Sequence, residues 1–292
     1  MRILITGAKG QVGRELVLVA QQQEISYFAC DHSQLDITDS VAVDELLRTQ
    51  DIDVVINAAA YTAVDVAEQD VDAAYRVNRD GVENLALACR SYDVPLIHIS
   101  TDFVFDGKQS EAYNETDSTD PLSIYGKSKL IGEEMLVQSW EKHIILRTSW
   151  VYSVHGSNFV KTMLRLMQER DQLQVVNDQW GCPTSARSIA KALIDIARSV
   201  VEKGASNWGV YHFSAKGRTN WYEFAKEILA QANQYSILNV SIQPITSQEW
   251  LCAAERPRNS ELSCDKIAVN FGIQRVRWQS ELPQVIADLI AT

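Results

Sequence analysis

The sequence predicts a doubly wound α/β fold, a parallel (Rossmann) sheet with helices on both faces, carrying a smaller discontinuous unit toward the C-terminus. Three observations lead there. Short apolar runs alternate with longer helical patterns through the first half of the 292 residues. Several of those runs lack polar alternation and so have no solvent-facing side. A glycine-rich turn follows the first run directly. Strands buried on both faces and joined by helices require a parallel sheet with right-handed crossovers.

In chain order, Arg2–Thr6, Ser26–Cys30, Asp53–Asn57, Leu96–Ser100 and Ile144–Thr148 read as strands. Between them, Gln11–Gln22, Ser40–Thr49, Ala73–Tyr92 and Ile124–Ser139 place apolar residues three and four apart, the period of a helix with one buried face. The pattern then loosens into a helix over Asn158–Arg170, a short strand at Gln174–Val176 and a long helix over Ser185–Val201. A short strand (Val210–Ser214), an amphipathic helix (Trp221–Gln234), an Arg/Pro-marked stretch (Ala254–Ser263) and a last helix near Leu282–Ile290 complete the chain.

Composition narrows the classes of function. A net charge of −11 leaves no excess of cations to neutralise phosphates, which argues against nucleic acid and anionic membranes as partners. No run approaches the ~18 apolar residues of a membrane span, and the first apolar run ends at Gly7, too soon for a signal peptide. The cysteines (Cys30, Cys89, Cys182, Cys252, Cys264) are odd in number and far apart, so neither a disulfide framework nor structural zinc is expected. His32, His98, His143, His155 and His212 show no ligand spacing; no metal is expected, and the histidines read as structural or surface groups. The expected compartment is the cytoplasm.

The turn Gly7-Ala8-Lys9-Gly10-Gln11-Val12-Gly13 sits between the first strand and the first helix. There a backbone can come close to a pyrophosphate, and the helix N-terminus offers free N–H groups and partial positive charge. The spacing GxxGxxG departs from GxGxxG by one residue, so placement carries the reading. Asp31, just past the second strand, would accept hydrogen bonds from an adenosine ribose and favours NADH; Lys9 and Arg14 favour NADPH. A plain turn residue is the alternative for Asp31. Residues 1–148, with return segments from about 171–205, are expected to form the dinucleotide-binding domain, and 149–170 with 206–292 the substrate domain.

Tyr125 and Lys129, four residues apart, share a helix face, a pairing suited to protonating an incipient alkoxide while the ammonium lowers the phenol's pKa. Tyr222 and Lys226 repeat the spacing, so position must decide. Tyr125 starts the helix after the fourth strand, and that strand ends in Ser100-Thr101-Asp102, at the sheet edge where doubly wound folds bind ligands. Tyr222 lies on an amphipathic helix among Trp221, Phe224, Ile228 and Leu229, the setting of an ordinary aromatic. Arg256 and Arg258, around Pro257, are candidates to fork onto the oxygens of a diphosphate, with a solvated loop as the alternative.

Gly7–Gly13, Asn57-Ala58-Ala59-Ala60, Ser100-Thr101-Asp102 and Tyr125 with Lys129 together resemble the extended short-chain dehydrogenase/reductase family. Asn57–Asp65, Ser100–Gly107, Pro121–Lys129, Arg147–Tyr152, Asn158–Leu166 and Arg256–Ser260 extend the likeness over nearly the whole chain, toward its nucleotide-sugar ketoreductases. Family dehydratases carry Thr-Asp-Glu; Phe103 follows Thr101-Asp102 here, which disfavours dehydration. The resemblance implies hydride transfer from NADPH or NADH to the C-4 ketone of a dTDP-linked sugar. It further implies Tyr125 as proton donor, Lys129 tuning it and holding the nicotinamide ribose, and Thr101 on the ketone with Asp102 beside it. Gly10, Gln11 and Val12 would meet the pyrophosphate, Asp36 and Ile37 the adenine side, and Ala58, Ala59 and Ala60 the cofactor chain. Trp150 would pack on the sugar, unless it is a core indole.

Two rivals follow from the same resemblance. One is a reductase or epimerase of another nucleotide-linked keto-sugar. The other is a non-catalytic cofactor-binding subunit like the regulatory β subunit of methionine adenosyltransferase; retention of Thr101, Tyr125 and Lys129 argues against it. Some relatives pair as homodimers bridged by magnesium. A homodimer is in keeping with the family, but the bridge is not expected: Glu15 fits one position, Arg187 stands near the other, and the last ten residues hold no glutamate.

Overall fold

Six strands form one parallel sheet: β1 (Arg2–Thr6), β2 (Ser26–Cys30), β3 (Val54–Asn57), β4 (Leu96–Thr101), β5 (His143–Thr148) and β6 (Gly209–His212). Their spatial order is β6-β5-β4-β3-β1-β2 in a computed structural model that describes residues 1–236 and 238–291. Residues alternate across the sheet as the pleat requires. Ile3, Ile5, Val54, Ile56 and Ile97 pack with the helices Gln11–Gln22 and Ala186–Val201. Leu4, Val55, Leu96 and Ile145 pack with Ser40–Thr49, Gly81–Ser91 and Ile124–Ser139 on the other face. Each such fully buried side chain contributes about 2 kcal/mol of transfer free energy.

The chain leaves β1 for β2 on one side and returns to β3 on the other, so β1 and β3 are neighbours in parallel register, Thr6 beside Asn57. Their carboxyl ends form the crevice where such sheets bind ligands.

Two strands pair differently from the expectation. The run near residue 210, assigned by its sequence to the later unit, is the edge strand β6, with Val210 beside Ile145. Gln172–Val176, expected among the return segments, instead pairs in parallel with Ser241–Ile245. The burial pattern gives the reason: Gln172 and Gln174 are exposed while Leu173 and Val175 are buried, so this strand has a wet face that a two-sided sheet cannot use. It covers a second core with Tyr152, Val160, Met163, Phe224 and Trp278.

The helix expected over 73–92 is interrupted. Val71–Tyr75 passes through a π-helical turn, Arg76–Asp80, into Gly81–Ser91. The turn directs Asn78 inward: its Oδ1 accepts from Tyr61 N (2.9 Å), and its Nδ2 donates to Tyr61 O (3.0 Å) and Ser128 Oγ (3.0 Å). Asn78 thereby ties the loop after β3 to the helix that carries Tyr125.

Candidate active site

The glycine turn is built for close backbone approach. Gly7 has φ +67°, and a Cβ there would lie 2.5 Å from Ala59 N and 2.6 Å from the Ala58 carbonyl. A Cβ at Gly13 would strike the Gly7 carbonyl oxygen. Gly10 caps the helix Gln11–Gln22 with no side-chain bond, so the first-turn N–H groups stay available to an anion. Asp31, at the end of β2, pairs with Lys9 and accepts from Ser33 N (2.7 Å) and Ser33 Oγ (2.5 Å). Those bonds, Lys9's first, hold its carboxyl well below the usual range. Asp36 accepts from Thr38 N and Oγ1, both at 2.9 Å, while Ile37 is buried against Gly81.

Ser123 starts the helix Ile124–Ser139, its Oγ accepting from Gly126 N (3.2 Å). Tyr125 and Lys129, one turn apart, are both buried. The Tyr125 ring meets the ring of Phe103 edge-on, centroids 5.5 Å apart. Burial pushes the phenol up to about 12; a bond with the Thr101 hydroxyl lowers it and the charge of Asp102 raises it. Tyr125 therefore keeps its proton throughout the neutral range.

Lys129, from the same helix, turns toward the sheet. Its Nζ donates to Ile99 O (2.7 Å) and lies 3.1 Å from His98 Nε2, and burial brings the amine down to about 8 against the opposing charge of Glu133. Asp102 is also buried, which raises its carboxyl to about 6 despite bonds with Ser260 and Thr101. Thr101 Oγ1 donates to Asp102 Oδ1 (3.0 Å), and Asp102 Oδ2 has no hydrogen-bond partner among the described residues.

One cavity of about 520 Å³ unites much of this. Gly10, Gln11 and Val12, Ala58 and Ala60, Thr101 and Asp102, Tyr125, Lys129 and Trp150 all line it. Gly7, Gly13 and Ala59 stand behind that lining as backbone contacts of the turn. Asp31, Asp36 and Ile37 lie outside it, along the chain that continues from β2.

Trp150 (φ +49°) stacks on Trp221 at 3.5 Å and 7°, so it forms a wall rather than a core indole. Trp221 backs Trp150, and Gly156 and Ser157 join the lining; only the last two adjoin a block that the sequence marks, Asn158–Leu166. Tyr222 and Lys226 do not line the cavity: Lys226 is exposed over the Tyr222 ring and pairs with Glu223 (3.1 Å).

Arg256 and Arg258 line a neighbouring cleft of about 990 Å³ with Lys108, Trp180 and Arg218. The loop from Asp102 to Gln109 runs from one cleft to the other. Arg258 is exposed. Arg256 already grips a carboxylate: Nη2 donates to Asp65 Oδ2 (2.6 Å) and Nη1 to Asp65 Oδ1 (3.2 Å).

A family model described as "RmlD substrate binding domain" matches residues 1–291. The chain belongs to that family. This RmlD-family chain is 45% identical to the dTDP-4-dehydrorhamnose reductase of Aggregatibacter actinomycetemcomitans, over 98% of each chain. Among solved structures, a dTDP-4-dehydrorhamnose reductase from Clostridium acetobutylicum superposes with a TM-score of 0.92 at 38% identity, covering 100% of both chains. The Bacillus anthracis enzyme, solved in complex with NADP, gives 0.91 at 36% identity, covering 98% of this chain and 99% of that one. For an RmlD-family chain the match spans the sheet and the second core alike.

Proposed function

We propose that the protein reduces the C-4 ketone of dTDP-4-dehydro-L-rhamnose to give dTDP-L-rhamnose, with NADPH or NADH as the reductant. The observation that carries the reading is the meeting of Thr101, Tyr125 and Lys129 with the glycine turn in one cavity. The names and full-length identity of the relatives support the sugar. A non-catalytic binding subunit has no need of a buried, protonated tyrosine beside a buried lysine.

A bound reduced nicotinamide supplies the hydride. The N–H groups of the first turn of Gln11–Gln22 would hold its pyrophosphate, Ala58 and Ala60 would line its path with Ala59 behind them, and Asp31, Asp36 and Ile37 would serve the adenosine end. Lys129 holds the nicotinamide ribose. Tyr125, protonated at neutral pH, gives its proton to the C-4 oxygen, which the Thr101 hydroxyl orients. Asp102 Oδ2 is an acceptor for a sugar hydroxyl, and Trp150 packs on the ring. Arg256 and Arg258 meet the diphosphate in the adjoining cleft.

The cofactor half comprises residues 1–148 with Ala186–Val201 and β6; the segments around Gln172–Val176, Trp221–Ala232 and Trp278–Ile290 form the substrate half. All five cysteines are free, which suits the reducing cytoplasm. The test is to incubate the purified protein with dTDP-4-dehydro-L-rhamnose and each cofactor, following cofactor absorbance and resolving the product by chromatography. Consumption with formation of dTDP-L-rhamnose is expected; no consumption with either cofactor rejects the reading.

A further inference from the structure

His98 lies on β4, fully buried, with each ring nitrogen beside another nitrogen. Nδ1 is 2.9 Å from Asn57 Nδ2, and Nε2 is 3.1 Å from Lys129 Nζ. The Asn57 amide decides where the ring proton sits. Asn57 Oδ1 accepts from the Ala59 backbone N–H (3.0 Å) and from Thr6 Oγ1 (2.6 Å). A backbone N–H cannot become an acceptor, so Oδ1 must face Ala59 and Nδ2 must face His98.

With a donor opposite it, Nδ1 is the acceptor, and the single proton of the neutral imidazole is on Nε2, aimed at Lys129. An ammonium there has only donors and would meet that proton head-on. An uncharged amine accepts it with its lone pair and still donates to Ile99 O. A doubly protonated ring is excluded by Asn57 Nδ2, and burial above all holds His98 well below the usual histidine range.

Other charged groups near Lys129 do not supply Nζ with an acceptor. On its own helix Glu133 is gripped by Arg147 of β5 (2.6 Å), and Tyr125 is neutral. Asp102 faces Tyr125 and Thr101, Glu68 accepts from Ile124 N, and Arg79 and Asp80 of the π-helical turn pair with each other.

We propose that His98 is a positioning residue for Lys129: its Nε2–H favours the uncharged amine against β4, and ribose hydroxyls brought to Nζ by the cofactor favour the ammonium, so that above neutral pH cofactor binding takes up a proton. The inference rests on the reading of Lys129 as the ribose-binding residue.

The test is titration calorimetry of the full chain with NADPH at pH 8, in two buffers of different ionisation enthalpy. The cofactor phosphates, with a second pKa near 6, are already ionised there and take up no proton. An amine near 8 should take up about half a proton per cofactor bound, rising toward one at pH 9. Lys129→Met should abolish the uptake. His98→Leu, which removes the opposing N–H, and His98→Gln, which offers Nζ an oxygen, should each reduce it at least ~twofold. Binding with the same heat in both buffers would overturn the proposal, as would undiminished uptake in either folded His98 variant. No NADPH binding at all would instead remove the cofactor reading beneath it.

Discussion

Lys9 forms an ion pair with Asp31 beside the glycine turn. Asp31 is also bonded twice by Ser33, so the carboxylate that would repel a 2′-phosphate is already answered by a cation and two donors. The exposed Lys9 ammonium remains free to serve a second anion.

Lys9→Ala should therefore raise KM for NADPH about tenfold, the size of one charge-assisted hydrogen bond, and leave KM for NADH within about twofold. Steady-state kinetics with both cofactors measure this. An equal change for the two would show that Lys9 serves the turn and not the phosphate.

Arg256 and Asp65 are joined by two hydrogen bonds although 191 residues separate them. If Arg256 binds the substrate's diphosphate, Arg256→Ala should raise KM for the nucleotide sugar tenfold or more, and Asp65→Asn, which frees the guanidinium, should not raise it. If the pair only braces the segment around Ala254, both variants should lose alike and the double variant no further. The three KM values separate the cases.

Asp102 ties stability to pH. Its carboxyl is raised from 3.8 to about 6, chiefly by burial. The folded state thus binds more protons than the unfolded one between those values. The contribution is fully present below 3.8 and is lost as pH rises through about 6. Asp102→Asn should be the more stable protein at pH 7.5, by on the order of 2 kcal/mol, and should lose most of that advantage at pH 4. Urea midpoints of both proteins at the two pH values test the sign.

Local signals carried most of the sheet. Arg2–Thr6 and Ser26–Cys30 are apolar runs ended by turn residues, and they are strands over those same residues. The sequence alone does not place β6, because its partner, β5, lies some 65 residues earlier and nothing within Gly209–His212 records that pairing. The π-helical turn at Arg76–Asp80 escaped for a related reason: it serves contacts of Asn78 with Tyr61 and Ser128, which helical periodicity cannot register.

The site divides the same way. Tyr125, Lys129 and the glycine turn were legible because strand–turn–helix placement constrains them. His98 carries no such signal in the sequence, since its one telling feature is the nitrogen opposite each ring nitrogen. Arg256 was legible as a cation, but its bond to Asp65 was not.

Tyr125→Phe tests the central claim most directly. The phenyl ring keeps the edge-on contact with Phe103, so folding and cofactor binding should hold within about twofold while only the acid is lost. With dTDP-4-dehydro-L-rhamnose and saturating NADPH, kcat should fall at least ~100-fold. A variant that binds cofactor normally and turns over within about twofold of the parent would contradict Tyr125 as the proton donor.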